Sequence, residues 1–369
     1  MNTQLPRWVD LGLIPLLNLL AAFLVAGLVV LLVGESPVEA VQVILFGAFG
    51  FGEGIGFTLF YATNFIFTGL AVAVAFHARL FNIGGEGQAY IGGLGVALAC
   101  LALDRYLPWW AIAPIAALGG AAFGAGWAFL PAYLQATRGS HIVITTIMFN
   151  FLAASLMVYL LVNVLKVEGA MAPESRTFEP AGRMPKIGWF VELFGEDMGG
   201  APANLAFFLA LAACVGVWAL IWRTRLGYEI RTFGANPTAA VYAGISPVRI
   251  TVTTMLVSGG LAGLMALNPV MGDQNRLFLD VAGGAGFVGI AVALMGRAHP
   301  LGVALAALLF GVLYQGGAEL AFEMPTITRD MVVVIQGLVV LFAGALEFMF
   351  RPAVARVFAL LPGGRKEAA

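Results

Sequence analysis

Charge is what this sequence has least of. Asp, Glu, Lys and Arg make up 11% of its 369 residues, against roughly 25% in a soluble domain. With 61% hydrophobic residues, a water-soluble surface cannot be built, and the chain reads as an all-α polytopic membrane protein. Lysine is confined to Lys166, Lys186 and Lys366, none of which follows a glycine. A GxxxxGK[ST] phosphate loop is therefore excluded. A net charge of −1 gives no basic field for nucleic acid. The two cysteines, Cys100 and Cys214, sit inside apolar runs without a CxxC, so they read as small apolar residues, not a disulfide or metal pair. The three histidines, His77, His141 and His299, each fall near an expected span end, and no HExxH or EF-hand loop occurs. No Ser-His-Asp set can be assembled. An enzyme, a metal site and a bound cofactor are not expected.

Long apolar runs dominate what remains. A spanning helix needs about 20 mainly apolar residues, and about ten candidates follow: 11–33, 57–76, 83–103, 109–132, 143–165, 204–222, 250–270, 284–296, 300–322 and 329–350. The first is too long for a signal-peptide core of about 7–15 residues and reads as an uncleaved span. The eighth is short and holds Gly286 and Gly289. The run 38–52 is too short to span and suggests a re-entrant or interfacial helix. With the N-terminus inside, alternation puts 12 Arg and Lys residues inside and 7 outside, 4 of those 7 in one loop. That satisfies the positive-inside rule with both termini cytoplasmic. The chain is expected to be a single transmembrane domain, 1–369.

Two loops are long. The outer one, 166–203, carries six acidic residues and an apolar stretch from Trp189 to Phe194. It suits either docking of an outer partner or a solvated connector. The inner one, 223–249, reads RTRLGYEIRTFGANPTAAVYAGISPVR. Asn236 suits an N-cap, Pro237 the first helical position and Gly244 the stop. The short helix between them offers Ala239, Ala240 and Tyr242. Two readings stand, a helix gripped by another protein or one lying on headgroups; its lack of a large apolar face favours the first.

The stretch His77–Gly95, HARLFNIGGEGQAYIGGLG, is unlike its surroundings. It sets His, Arg, Asn, Glu and Gln among six glycines between two apolar runs. Interrupted helices with polar backbone at the break are how many transporters build a path through the bilayer. The alternative is a polar surface turn with Glu86 in the first turn of the next helix. Thr146 and Asn150, at i and i+4, share a helical face that suits either a polar solute or a neighbouring helix. Spans two to five and seven to ten have similar Gly/Ala-rich textures, suggesting an internal repeat.

FNIGGEGQ (81–88) with the small-residue run 91–95 resembles the signature of permease subunits of bacterial ABC importers in the branched-chain amino acid and ribose superfamily. SHIVITTIMFNFLA (140–153), GANPTAAVYAGI (234–245) and GFVGIAVALMGRAHPLG (286–302) are similar to its nucleoside branch. The resemblance implies a multi-pass inner-membrane translocation subunit importing nucleosides by alternating access. Its implied partners are a second homologous permease, an extracytoplasmic substrate-binding lipoprotein and a separate ATPase that uses the ATP. The ATPase would grip Asn236, Pro237, Ala239, Ala240, Tyr242 and Gly244 in the coupling loop 223–249. Phe81, Asn82, Glu86, Gln88, Phe149 and Asn150 are the substrate-path candidates, amide and carboxylate for ribose hydroxyls and rings for a base. A pentose or branched-chain amino acid permease, or an ion-driven carrier, are the alternatives.

Overall fold

The computed structural model describes residues 13–193 and 195–339, together with Pro6, Val9, Leu341 and Val354. Regular structure among them is helical: α1 (Ile14–Leu32), α2 (Pro37–Phe49), α3 (Gly52–His77), α4 (Gly85–Leu103), α5 (Trp109–Arg138), α6 (Ile142–Asn163), α7 (Gly188–Glu192), α8 (Ala206–Arg223), α9 (Arg225–Ala235), α10 (Pro237–Tyr242), α11 (Pro247–Leu264), α12 (Ala285–Met295) and α13 (Pro300–Glu323). Contacts divide the chain into one unit of 1–47 with 313–369 and another of 48–312.

Seven of the ten expected spans are α3, α4, α5, α6, α8, α11 with its continuation to Asp273, and α13, each long and apolar enough to cross a bilayer. The expected first span and the 38–52 run are α1 and α2, a helix pair bent by 114° between Leu32 and Pro37. Gly34, at φ +93°, makes that turn. The eighth is the short α12. Residues 329–339 of the tenth are helical, and most of its remainder lies outside the described residues.

In the smaller unit, α2 packs on the C-terminal half of α13. Any side chain at Gly316 would strike the Ile44 carbonyl, and one at Gly47 would strike Glu319. Gln336 donates to the Leu313 carbonyl at 3.1 Å, and the Thr326 hydroxyl donates to Glu35.

In the larger unit, glycine permits the tightest contact. α5 and α11 cross at Gly120 and Gly124 against Gly259 and Gly263, two small-xxx-small stripes. A Cβ at Gly263 would enter the Gly120 carbonyl, and one at Gly124 would enter Gly259. Helix association in lipid relies on this close backbone approach because there is no hydrophobic drive between helices. Gly92 and Gly95 of α4 complete the weld against Gly263 and Gly119. Inside the trio, Val96, Ala97, Cys100, Ile112 and Ala116 are fully buried.

α11 does not end at Leu264. It widens into π-type turns over Leu267–Asp273. Pro269 explains the change: it has no N–H and crowds the preceding turn, and the ladder resumes as Gln274 N–H donating to the Pro269 carbonyl at 2.9 Å.

The 166–203 loop is folded down, not a free connector. Asp104, at the end of α4, accepts two hydrogen bonds from Arg176, at 2.7 and 2.8 Å, and one from the Glu179 amide at 3.0 Å. Arg276 meets Glu174 at 2.6 Å. Ser175 N–H donates to the Leu277 carbonyl, Phe178 N–H to Asn275 and Met184 N–H to Met271. The apolar stretch 189–194 includes most of the short helix α7, and Phe194 lies outside the described residues. Val191, Ile187, Met198, Ala201 and Ala203 form the cap's own apolar core.

Candidate functional site

Two interruptions face each other inside the larger unit. The first, 78–84, follows α3 and turns through Arg79 at φ +54°. The second, 274–284, follows the π-type turns and uses four left-handed residues: Asn275, Asp280, Gly283 and Gly284. Each interruption ends in a helix that starts within the protein. α12 has 11 residues, about 16 Å at 1.5 Å per residue, roughly half the hydrocarbon thickness. Its N-terminus abuts that of α4 so closely that a Cβ at Gly286 would enter the backbone of Glu86.

Glu86 joins the two. Its Oε1 accepts from the Gly284 amide and its Oε2 from the Gly286 amide, both at 2.8 Å. Free amides and the positive dipole end of a helix are where a carboxylate is best held in a low-dielectric interior. One turn on, the Tyr90 hydroxyl accepts from the Asp280 amide at 2.9 Å. So α4 supplies the caps that the second interruption lacks.

The first interruption is held by side chains. Asn82, 1% exposed, donates to Gln88 Oε1 and Ser258 Oγ, both at 2.8 Å. Its Oδ1 accepts from the Gly84 amide at 2.9 Å and from Gln88 at 3.1 Å. Both donors and both lone pairs of that amide are therefore used. Ser258 passes the chain on, donating to the Ala71 carbonyl at 2.6 Å. Asn150 clasps the interruption from α6: the Gly87 amide donates to its Oδ1 at 2.9 Å, and its Nδ2 donates to the Ile83 carbonyl at 3.0 Å. Thr146 shares that face but bonds back to Ile142 in its own helix.

Phe81 and Phe149 are half-buried. Phe81 stands edge-on to Phe76 at 5.5 Å, and Phe149 to Trp127 at 5.3 Å. The structure thus brings Asn82 and Gln88 into direct contact and hangs Glu86 and Asn150 on backbone beside them. Tyr90, Ser258 and Gly284 were not among the expected residues; a hydroxyl within GG-containing SGG at 258–260 was the one sequence signal for Ser258.

A second polar knot lies toward the capped end. Asn268, fully buried among the π-type turns, donates to the Phe60 carbonyl at 2.9 Å and to Asn64 Oδ1 at 2.8 Å, and accepts from Asn204 at 2.7 Å. Burial alone would push the Asp104 carboxyl at this end up. The Arg176 and Glu179 hydrogen bonds and the Arg176 and Arg105 charges outweigh it and hold the group below the ordinary aspartate value.

At the arginine-bearing end, α10 has the expected boundaries. Asn236 Oδ1 accepts from the Ala239 amide at 3.0 Å, Pro237 opens the helix, and Gly244 leaves it at φ +78°. Ala240 is buried, while Val241 and Tyr242 are 52% and 90% exposed. No cluster of three metal-ligating side chains occurs among the described residues.

Residues 54–344 match the family model described as "Branched-chain amino acid transport system / permease component". Three relatives align over nearly the whole chain. The glucose ABC transporter permease protein TsgB13 of Haloferax volcanii is 34% identical over 96% of this chain and 92% of its own. The guanosine ABC transporter permease protein NupP of Bacillus subtilis is 34% identical over 91% and 95%. The nucleoside ABC transporter permease protein NupB of Lactococcus lactis is 31% identical over 89% and 90%. With its seven long apolar helices, the chain is a multi-pass membrane permease that belongs to the branched-chain amino acid transport system permease family.

Proposed function

We propose that the chain is the translocation subunit of an ABC importer that takes up nucleosides through the inner membrane by alternating access. The observation that carries the reading is the meeting of the α3–α4 connector and the 274–284 segment at Glu86, which ties α4 to the short helix α12. Short helices and non-helical backbone held within a bundle are elements transporters use to open a path first to one side and then to the other. Guanosine and nucleoside permeases among the relatives support the substrate class. The lysine pattern, without a phosphate loop, supports placing ATP hydrolysis on a partner.

In this proposal α10, from Asn236 through Pro237, Ala239, Ala240 and Tyr242 to Gly244, is the element an ATPase grips, since Val241 and Tyr242 stand exposed. A second homologous permease and an outer binding lipoprotein complete the assembly, and ten spans with both termini inside give its topology. Phe81, Asn82, Glu86, Gln88, Phe149 and Asn150 line the path. As the interruptions part, ribose hydroxyls exchange with backbone for Glu86 and Asn150, and the base lies against Phe81 or Phe149.

The glucose permease relative favours a sugar as a second reading. Both solutes present ring hydroxyls, and only a nucleoside presents a base. A zwitterionic amino acid fits less well, since it needs charged partners of both signs and the spans carry few. The test is uptake of radiolabelled guanosine and glucose in proteoliposomes holding the chain with its co-encoded partners. Guanosine flux that needs ATP, survives a protonophore and is not competed by glucose is expected. Glucose flux instead would replace the substrate, and flux driven by a proton gradient alone would remove the ABC mechanism.

A further inference from the structure

The arginine-bearing end holds a cluster of histidine, tryptophan and arginine side chains that the transport reading does not use. Four segments meet there: the last turn of α3, the end of α8, the middle of α9 and the turn between α12 and α13. The His77 Nε2–H donates to the Ala298 carbonyl at 3.1 Å. The Trp222 ring lies between two imidazoles, 5.2 Å from His77 and 5.1 Å from His299. Arg297 and Ala298 are both left-handed, at φ +51° and +52°, so the turn that brings His299 to Trp222 is a strained one. α9 lies directly on this site, because a Cβ at Gly234 would enter the His77 carbonyl.

Arg231 lies on α9 one turn before Gly234, on the face that packs against the end of α3. Its Nε is buried and has no hydrogen-bond acceptor among the described residues. A buried guanidinium N–H without an acceptor is costly, so the group is built for an anion. Among the described residues of the elements that meet here, none supplies one. α3 near His77, α8, residues 78–84 and α12 contain no carboxylate before Glu86, which caps α12. Glu229, the one acid of α9, pairs with Arg225 at 3.1 Å.

We infer that Arg231, on the helix that packs against the His77, Trp222 and His299 cluster, binds a phosphate-type oxyanion at the arginine-bearing surface. A guanidinium fork matches a phosphate in two-point geometry, which an ammonium does not. The site lies where α3, α8 and α12 all end, with Trp222 in the last turn of α8. Tryptophan and arginine at helix ends mark the headgroup level of a bilayer. The phosphate of an anionic lipid and free inorganic phosphate share the required chemistry.

The test uses the full chain, delipidated in detergent. Wild type, Arg231→Gln, Arg231→Lys and the exposed control Arg223→Gln are titrated with phosphatidylglycerol, phosphatidylcholine and inorganic phosphate. Retained lipid is read by native mass spectrometry and unfolding temperature by scanning fluorimetry. Wild type is expected to retain phosphatidylglycerol over phosphatidylcholine, with Arg231→Gln lowering that affinity about fivefold, the effect of about one surface basic group. Arg223→Gln should leave it unchanged. A rise in unfolding temperature with inorganic phosphate alone, lost in Arg231→Gln, assigns the site to the free ion. Should Arg231→Gln not fold, Arg231→Lys decides, because it keeps the charge and loses the fork. Equal binding by wild type and the Arg231 variants, or an equal loss in Arg223→Gln, overturns the site. None of these outcomes depends on which solute the permease carries.

Discussion

The two interruptions differ in what holds them. The first, 78–84, is tied by side chains reaching in from α4, α6 and α11, and every hydrogen-bonding atom of the Asn82 amide is engaged. The second, 274–284, has four left-handed residues and leans on outside groups: Glu86 and Tyr90 of α4, and the 166–203 cap through Ser175, Phe178 and Glu174. A knot of mutually satisfied buried amides is rigid. A segment held by a few distant groups opens at lower free energy. In the proposed transport cycle the second interruption, with its left-handed backbone, is expected to be the moving part, and Glu86 to register its movement on the first.

The largest expected effect comes from breaking both at once. Glu86→Ala leaves the Gly284 and Gly286 amides unpaired, at about 1–3 kcal/mol each. A fall in unfolding temperature and at least a tenfold loss of ATP-driven uptake should follow. Asn82→Ala acts on the first interruption alone, stranding the Gly84 amide and the Gln88 and Ser258 side chains, for about 2–4 kcal/mol. Hydrogen exchange should then quicken in 78–88 and not in 274–284; equal quickening in both would erase the distinction between them.

Acid sharpens the comparison from the other side. Asp104 has its carboxyl held below the ordinary value in the folded state. Its contribution is complete above the unfolded value, about 3.9, and is lost as pH falls through the lowered folded value. Asp104→Asn mimics that loss at neutral pH. Removing one member of a buried pair costs about 3–5 kcal/mol, and Arg176, 30% exposed, brings this down to about 1–3 kcal/mol. Exchange should rise in the cap and in 274–284, both in the variant and in acid. The smallest effect belongs to Gly284→Ala. At φ +80° a Cβ costs about 1–2 kcal/mol, and the change should be confined to the start of α12.

Much of the fold was legible. Apolar run length placed seven helices, and Asn236, Pro237 and Gly244 placed α10 to within a residue of its observed ends. Those signals are local. Gly34 lies between α1 and α2 and Pro37 opens α2, yet a run of apolar residues on either side hides how sharply the chain bends there. The short eighth run was visible but its cause was not: α12 is short because 274–284 has already carried the chain partway back inside. The polar residues of 81–88 were found by their contrast with their neighbours. Their partners were not, because Glu86 meets Gly284 across 198 positions and Asn82 meets Ser258 across 176. Asn204 gave no sign of itself, standing at the mouth of an apolar run where a polar residue is ordinary.

Amide exchange at the start of α12, followed in the assembled transporter without nucleotide and then trapped with ATP, tests the account most directly. If Glu86 is the joint between a fixed and a moving interruption, peptides covering 284–287 are protected at rest and exchange faster once ATP is bound, while 82–88 stays protected. Unchanged protection of 284–287 in both states, with uptake intact, would contradict it.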